Sequence, residues 1–157
     1  VADICTRQAE DLGGRRITVT PPVDGPPIAY CDPVHAEHIL TNLLSNAVKY
    51  SPKETLIGIG FTVEQSRIAC IVTNTGSLGG ALERDALFDR YYRGSNTEGC
   101  PGIGVGLYMA KALARLQGGD VCLQASEPGT VRMAMVLPRS ACGSGAVAAA
   151  SVAQEPA

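Results

Sequence analysis

The sequence predicts a two-layer α/β sandwich, on three observations. Residues 33–50 and 105–117 carry apolar side chains at helical spacing. Two pairs of short apolar runs, 55–63 with 67–73 and 120–125 with 131–137, each read as a hairpin. Helices and hairpins alternate along 157 residues, a length that suits one domain built as one sheet under one helical layer.

Residues 1–12 read as a helix stopped by Gly13-Gly14, so 1–14 is expected to be the end of a linker helix. Residues 16–20 and 29–31 are short strands around a Pro-rich loop. The first long helix follows, with Asp32 as N-cap and Pro33 at the first helical position. Glu64-Gln-Ser66 turns the first hairpin, residues 76–80 form a loop, and 83–89 form a short helix. Residues 93–101 are polar and expected to be flexible, and Gly118-Gly119 ends the second long helix. Residues 139–157 are low in complexity and expected to be a disordered tail, which leaves 15–138 as the folded domain.

Bulk properties narrow the class. Hydrophobic residues make up 45%, charged residues 18%, and the net charge is −2, so there is no basic footprint for nucleic acid. No apolar run approaches the ~18 residues of a membrane span, so no direct membrane insertion is expected. The chain begins at Val1 without a signal peptide and is expected to be a piece of a longer protein. The cysteines at 5, 31, 70, 100, 122 and 142 show no CxxC pairing, which argues against zinc. Cys70 and Cys122 are expected to be buried, and a reducing cytoplasm is the simplest setting.

The polar side of the first long helix carries the first chemical signal. Ala36, Ile39, Leu40, Leu43, Leu44, Ala47 and Val48 share one side, and His35, His38, Asn42, Asn46 and Lys49 the other. Asn competes for backbone hydrogen bonds, so two of them one turn apart in mid-helix point to a task. An amide oxygen is a hard ligand suited to Mg²⁺, and a lysine about one turn on can pair with phosphate. Alone, the NxxxN pattern reads more simply as two solvated amides. The second signal is Gly102-Ile-Gly104-Val-Gly106-Leu107, a glycine-rich loop running into a helix. Its backbone N–H groups can approach an anion closely. It is neither the dinucleotide fingerprint, which needs Gly at 107, nor a Walker A loop, which needs a following Gly-Lys-Ser/Thr.

Together these parts resemble one family. Residues 42–50 look like the N box of sensor histidine kinases, Asn74-Thr-Gly76 their G1 box, and Phe88-Asp-Arg-Tyr-Tyr-Arg93 the F box. Residues 102–107 look like the G2 box and Gly129-Thr130 the G3 box; the resemblance runs over roughly residues 31–138. It implies the Bergerat ATP-binding fold, a mixed and mostly antiparallel sheet with about three helices on one face. It also implies ATP between sheet and helices under a mobile lid. Asn46 would be the Mg²⁺ ligand, Asn42 would lie beside the phosphates, and Lys49 and Arg93 would be phosphate cations. Arg90 is a weaker candidate. Gly102, Gly104, Val105, Gly106 and Leu107 would give the phosphates their loop, with Asn74 and Gly76 at the adenine amino group. Tyr50 could lie against the adenine and Thr130 near it. A surface charge is the alternative for each cation, a structural ring for Tyr50, and a turn residue for Thr130.

Two positions depart from the family's Asp-x-Gly-x-Gly. Asn74 offers a neutral acceptor where the family has a carboxylate, and Leu78 stands where it has Gly. Leu78 would be strained if that position needs φ > 0, so weak ATP binding is expected unless Gly79-Gly80 supply the flexibility. Related gyrase-type, mismatch-repair and chaperone ATPases resemble one another in carrying Glu at position 42. Asn42 cannot take a proton, so rapid hydrolysis is not expected. The resemblance implies phosphoryl transfer to a histidine on an upstream dimerisation domain, then to a response-regulator receiver domain. His35 and His38 lie in the N-box helix and are not expected to be that acceptor. The alternatives are a nucleotide sensor or scaffold without kinase activity, and a serine-phosphorylating anti-sigma-type kinase.

Overall fold

The computed structural model describes residues 15–22, 28–78, 81–94, 102–127 and 129–140. Expectations for the linker helix, Gly79-Gly80, residues 95–101 and the tail beyond 140 lie outside these residues, as do Cys5, Cys100 and Cys142. The elements are β1 (Ile17–Val19), α1 (Pro33–Lys49), β2 (Ile57–Val63), β3 (Arg67–Asn74), α2 (Ala81–Ala86), α3 (Gly106–Leu116), β4 (Asp120–Glu127) and β5 (Thr130–Pro138). The sheet order is β1-β2-β3-β5-β4, with β1 parallel to β2 and every other pair antiparallel. The mixed, mostly antiparallel sandwich is therefore present.

Alternation along the strands builds one apolar face. Ile57 and Ile59 of β2 join Ile68, Cys70 and Val72 of β3 and Val131, Met133, Met135 and Leu137 of β5, all buried toward the helices. The register sets Ile59 beside Val72 and Val72 beside Met133, so the pattern continues across strands. Asn74 is the one polar residue buried on this face among the described residues, at 6% exposure. Val121 also points inward at 0% exposure, which turns Cys122 to the opposite face, where it is only half-buried beside Ala134. The expectation of a buried Cys122 is corrected by that one-residue phase.

α1 forms because its apolar residues recur as a stripe and its start is fixed by its own chain. The Asp32 carboxylate accepts from the N–H groups of Val34 (2.8 Å) and His35 (3.2 Å), and Pro33 opens the helix. Ile39, Leu40 and Leu44 are fully buried, and burying such a side chain is worth about 1.5–3 kcal/mol. α3 packs on α1 through Ala110 and Ala114, whose small side chains allow close approach. It ends where Gly118 turns at φ 73°, and Gly119 sits so near β5 that an added Cβ would collide with the Val136 carbonyl. The Gln117 side chain accepts from the Asp32 N–H at 2.6 Å, tying the end of α3 to the start of α1.

Some boundaries differ from expectation. Thr55 belongs to a turn, donating to the Pro52 carbonyl, so β2 starts at Ile57. Residues 29–31 give only an isolated bridge, Ala29 to Arg139. Arg139 and Ser140, expected in the tail, are instead held by backbone bonds to Ser66 and Ile28. No described helix is long and apolar enough to cross a membrane.

Candidate functional site

A cavity of about 680 Å³ opens between the C-terminal half of α1, the ends of β3 and β5, and the glycine loop before α3. Two chemically different zones line it. Val72, Val131, Met133, Leu43 and Leu78 give an apolar floor and wall, with Asn74 the polar group among them. Asn42, Asn46, Lys49, Arg93 and the backbone of residues 102–107 line the other zone. An apolar slot with one amide suits a flat heteroaromatic ring; a cationic, glycine-rich mouth suits phosphates.

α1 delivers the first group of residues. Asn42 donates from Nδ2 to the His38 carbonyl at 2.9 Å, which points its Oδ1 toward the start of α3. A Cβ added at Gly106 would lie 2.9 Å from that Oδ1, so glycine there is a packing requirement. Asn46 follows one turn later, and Lys49 is exposed in the last turn, where a cation also suits the helix dipole. Among the described residues no group of three or more His, Cys, Asp or Glu side chains converges as a metal cage. The donor chemistry instead offers the side-chain amide of Asn46, a residue that lines the cavity. That fits a Mg²⁺ which brings phosphates and water as its other ligands.

The start of α3 is open. Its N-cap residue, Val105, gives no side-chain cap, and Met109 donates back to the Val105 carbonyl. The N–H groups before Met109 therefore have no acceptor within the helix. Gly104 holds φ 72°, and an added Cβ would sit 2.6 Å from the Tyr92 carbonyl. The loop carrying Arg93 is clasped to it: the Tyr91 N–H donates to the Gly104 carbonyl at 2.9 Å. Tyr91 has φ 67° and is the one non-glycine residue with positive φ among those described.

That observation also settles Leu78. It has an ordinary negative φ and serves as apolar wall, so the strain anticipated from replacing glycine is absent. Asn74 donates from Nδ2 to the Thr75 carbonyl at 3.2 Å, which occupies the donor end of the amide. Gly76 packs against it and donates to the Gly129 carbonyl at 3.3 Å, so the G3 turn buttresses the G1 loop from behind.

Of the residues singled out in sequence, Asn42, Asn46, Lys49, Tyr50, Asn74, Gly76, Arg93, Gly102, Gly104, Val105, Gly106 and Leu107 all line this cavity. Thr130 does not; its neighbour Val131 does. Arg90 lies over the Tyr91 ring, 4.7 Å from its centroid, rather than in the cavity wall. Val72 and Met133 were missed, although period-two alternation puts Val72 on Asn74's face and the register puts Met133 beside it.

The fold and the cavity together define a class, an ATPase-type α/β sandwich with its site between helices and sheet. The chain belongs to the histidine kinase-, DNA gyrase B- and HSP90-like ATPase family, whose profile matches residues 31–141. Its relatives include sensor kinases. It is 36% identical to the sensor protein CutS of Streptomyces coelicolor over 105 residues, 65% of this chain and 25% of that protein. It is 29% identical to the histidine-protein kinase/phosphatase MprB of Mycolicibacterium paratuberculosis over 131 residues, 82% of this chain and 25% of that one. The chain thus spans about a quarter of these relatives. In fold it matches a solved mycobacterial sensor histidine kinase MprB at a TM-score of 0.72, with 24% identity, covering 88% of this chain and 95% of that one.

Proposed function

We propose that this domain binds Mg-ATP and donates the γ-phosphate to a histidine on an upstream dimerisation domain, for relay to a response-regulator aspartate. The observation that carries this reading is the meeting, in one cavity, of the amide face of α1 with the uncapped glycine start of α3. The adenine occupies the apolar slot with its amino group on the Asn74 Oδ1. Lys49 and Arg93 take phosphate oxygens, Lys as a point charge and Arg as a fork. Mg²⁺, held by Asn46, would neutralise phosphate charge. Asn42 lacks the basicity to activate water, so the γ-phosphate is kept for the partner imidazole. That nitrogen attacks phosphorus as the bond to the β-bridging oxygen breaks, and ADP leaves with the electron pair. The domain's share of catalysis is positioning and electrostatics.

The test is to mix the domain with its upstream acceptor domain and γ-labelled ATP. Acid-labile label supports histidine transfer, and acid-stable label moves the assignment to serine or threonine. Nucleotide binding without label leaves a sensor or scaffold.

A further inference from the structure

Lys111 lies about one and a half turns into α3, away from the cavity wall, yet its side chain is only 18% exposed. Its ammonium group donates to the Val121 carbonyl at 2.7 Å and to Asp120 Oδ2 at 3.3 Å. Asp120 Oδ1 is 3.1 Å away, and Arg115 Nε lies 3.4 Å from the same oxygen. The remaining side of the cation faces the Phe88 ring, 4.4 Å from its centroid. A partly buried cation needs such partners, because desolvation is otherwise costly. The carbonyl and the carboxylate that hold it both belong to β4; the ring belongs to the loop that leads to Arg93.

Two contacts bracket the turn in that loop. Phe88 lies under Lys111 and packs on the hydrophobic core, and three residues later the Tyr91 N–H is bonded to Gly104. The chain turns tightly here, with the Tyr92 N–H donating to the Asp89 carbonyl at 3.3 Å across Tyr91. Tyr91 takes a left-handed φ of 67°, a conformation that disfavours any residue with a Cβ. Such a conformation persists only where its surroundings over-determine it. Loosening Phe88 would remove one of the contacts that hold Tyr91 in this conformation and keep Arg93 at the cavity mouth.

We infer that Lys111 is a positioning residue for phosphate recognition: by clamping Phe88 against α3 and β4 it fixes the Arg93 loop and the Gly104 turn at the cavity mouth. The inference rests on the nucleotide reading above. Lys111 lies outside the cavity wall, so it acts on the phosphate half of the site through the loop and leaves the apolar base slot untouched.

The test compares the parent chain with Lys111→Met, Lys111→Arg and Phe88→Leu. Each is titrated calorimetrically with Mg-ATP and with adenosine, and the exchange rate of the Tyr91 amide is followed by NMR. Lys111→Met should weaken Mg-ATP about tenfold, and Phe88→Leu should do the same, while adenosine affinity stays within about twofold. Lys111→Arg, which keeps a cation over the ring, should restore most of the ATP affinity, an outcome that general destabilisation would not give. The Tyr91 amide should exchange faster in Lys111→Met and Phe88→Leu. An unchanged ATP-to-adenosine ratio in both variants would overturn the inference, as would unchanged Tyr91 protection. A parent that binds neither ligand would overturn the nucleotide reading instead, and the Tyr91 exchange rates would still decide whether the clamp exists.

Discussion

α1 and α3 both begin just after a bend in the chain, but the chain finishes one start and leaves the other open. At α1, Asp32 accepts from two N–H groups and Pro33 removes a donor altogether. At α3, Val105 supplies no cap, and glycines at 104 and 106 let the Tyr91–Tyr92 backbone and the Asn42 amide pack closely against the helix start. A start satisfied by its own side chain contributes to stability; a start left open holds its donors ready for an anion. The contrast separates the two ends of the helical layer into a structural pole and a chemical one.

The sharpest way to break this contrast is Gly104→Ala. The substitution forces a Cβ to within 2.6 Å of the Tyr92 carbonyl at a φ of 72°. Overpacking together with left-handed strain should cost ATP affinity on the order of a hundredfold. Gly60→Ala is the control, because nothing lies within 4 Å of the added Cβ, and its affinity should match the parent. Equal calorimetric affinities for Gly104→Ala and the parent would mean that the open start is not the phosphate site.

Next in size is Asn46→Ala, which should remove the whole Mg²⁺-dependent tightening of nucleotide binding while α1 stays folded. The apolar stripe is untouched, and Ala is the better helix former. Titrations with and without Mg²⁺ decide it; a retained Mg²⁺ enhancement would remove Asn46 from the ligand set.

Asn74→Asp probes the other zone. A charged acceptor in place of a neutral one should strengthen ATP binding by about 1 kcal/mol, roughly fivefold, with desolvation of the carboxylate as the opposing term. The gain should vanish for an analogue lacking the exocyclic amine. Equal gains for both nucleotides would place the base elsewhere.

The smallest effect belongs to the closed start. Asp32→Ala should lower the melting temperature and leave ATP affinity unchanged. The His35 and Val34 N–H groups hold the Asp32 carboxyl below its ordinary range, with the His35 bond the larger cause. A depressed folded pKa gives stability that is present above the unfolded value of about 4 and lost as pH falls through the folded one. The melting-temperature gap between parent and variant should therefore be full at neutral pH and close in acid. A gap independent of pH would mean that the carboxylate is not the cap.

How much of this was legible in the sequence follows the range of the forces involved. α1 could be read because its stripe, its Asp32-Pro33 start and its amides are all local. The hairpins were legible for the same reason, and with them the face that carries Asn74. The role of Gly129 was not, because its carbonyl meets Gly76 across the sheet end, and no local pattern encodes that. Nor was Tyr91's left-handed turn, which depends on a bond to a residue beyond an intervening loop. Thr130 was placed by analogy, and the strand phase gives its position in the cavity wall to Val131 instead.

The two ends of the described fold are fastened at different poles. Arg15 donates to the Pro52 carbonyl at 2.7 Å and to the Ser51 hydroxyl, and both residues line the cavity. Ser140 is fastened to Ile28 beside the Ser66 turn, at the other end of β3 from Asn74, about 23 Å away by strand rise. Tension applied ahead of Arg15 would therefore reach the rim of the cavity before it loaded the sheet. Tension applied after Ser140 would meet the backbone bonds to Ile28 and Ser66 at the far pole. A force probe attached ahead of Arg15 and one attached after Ser140 would pull on the same fold and feel different compliances.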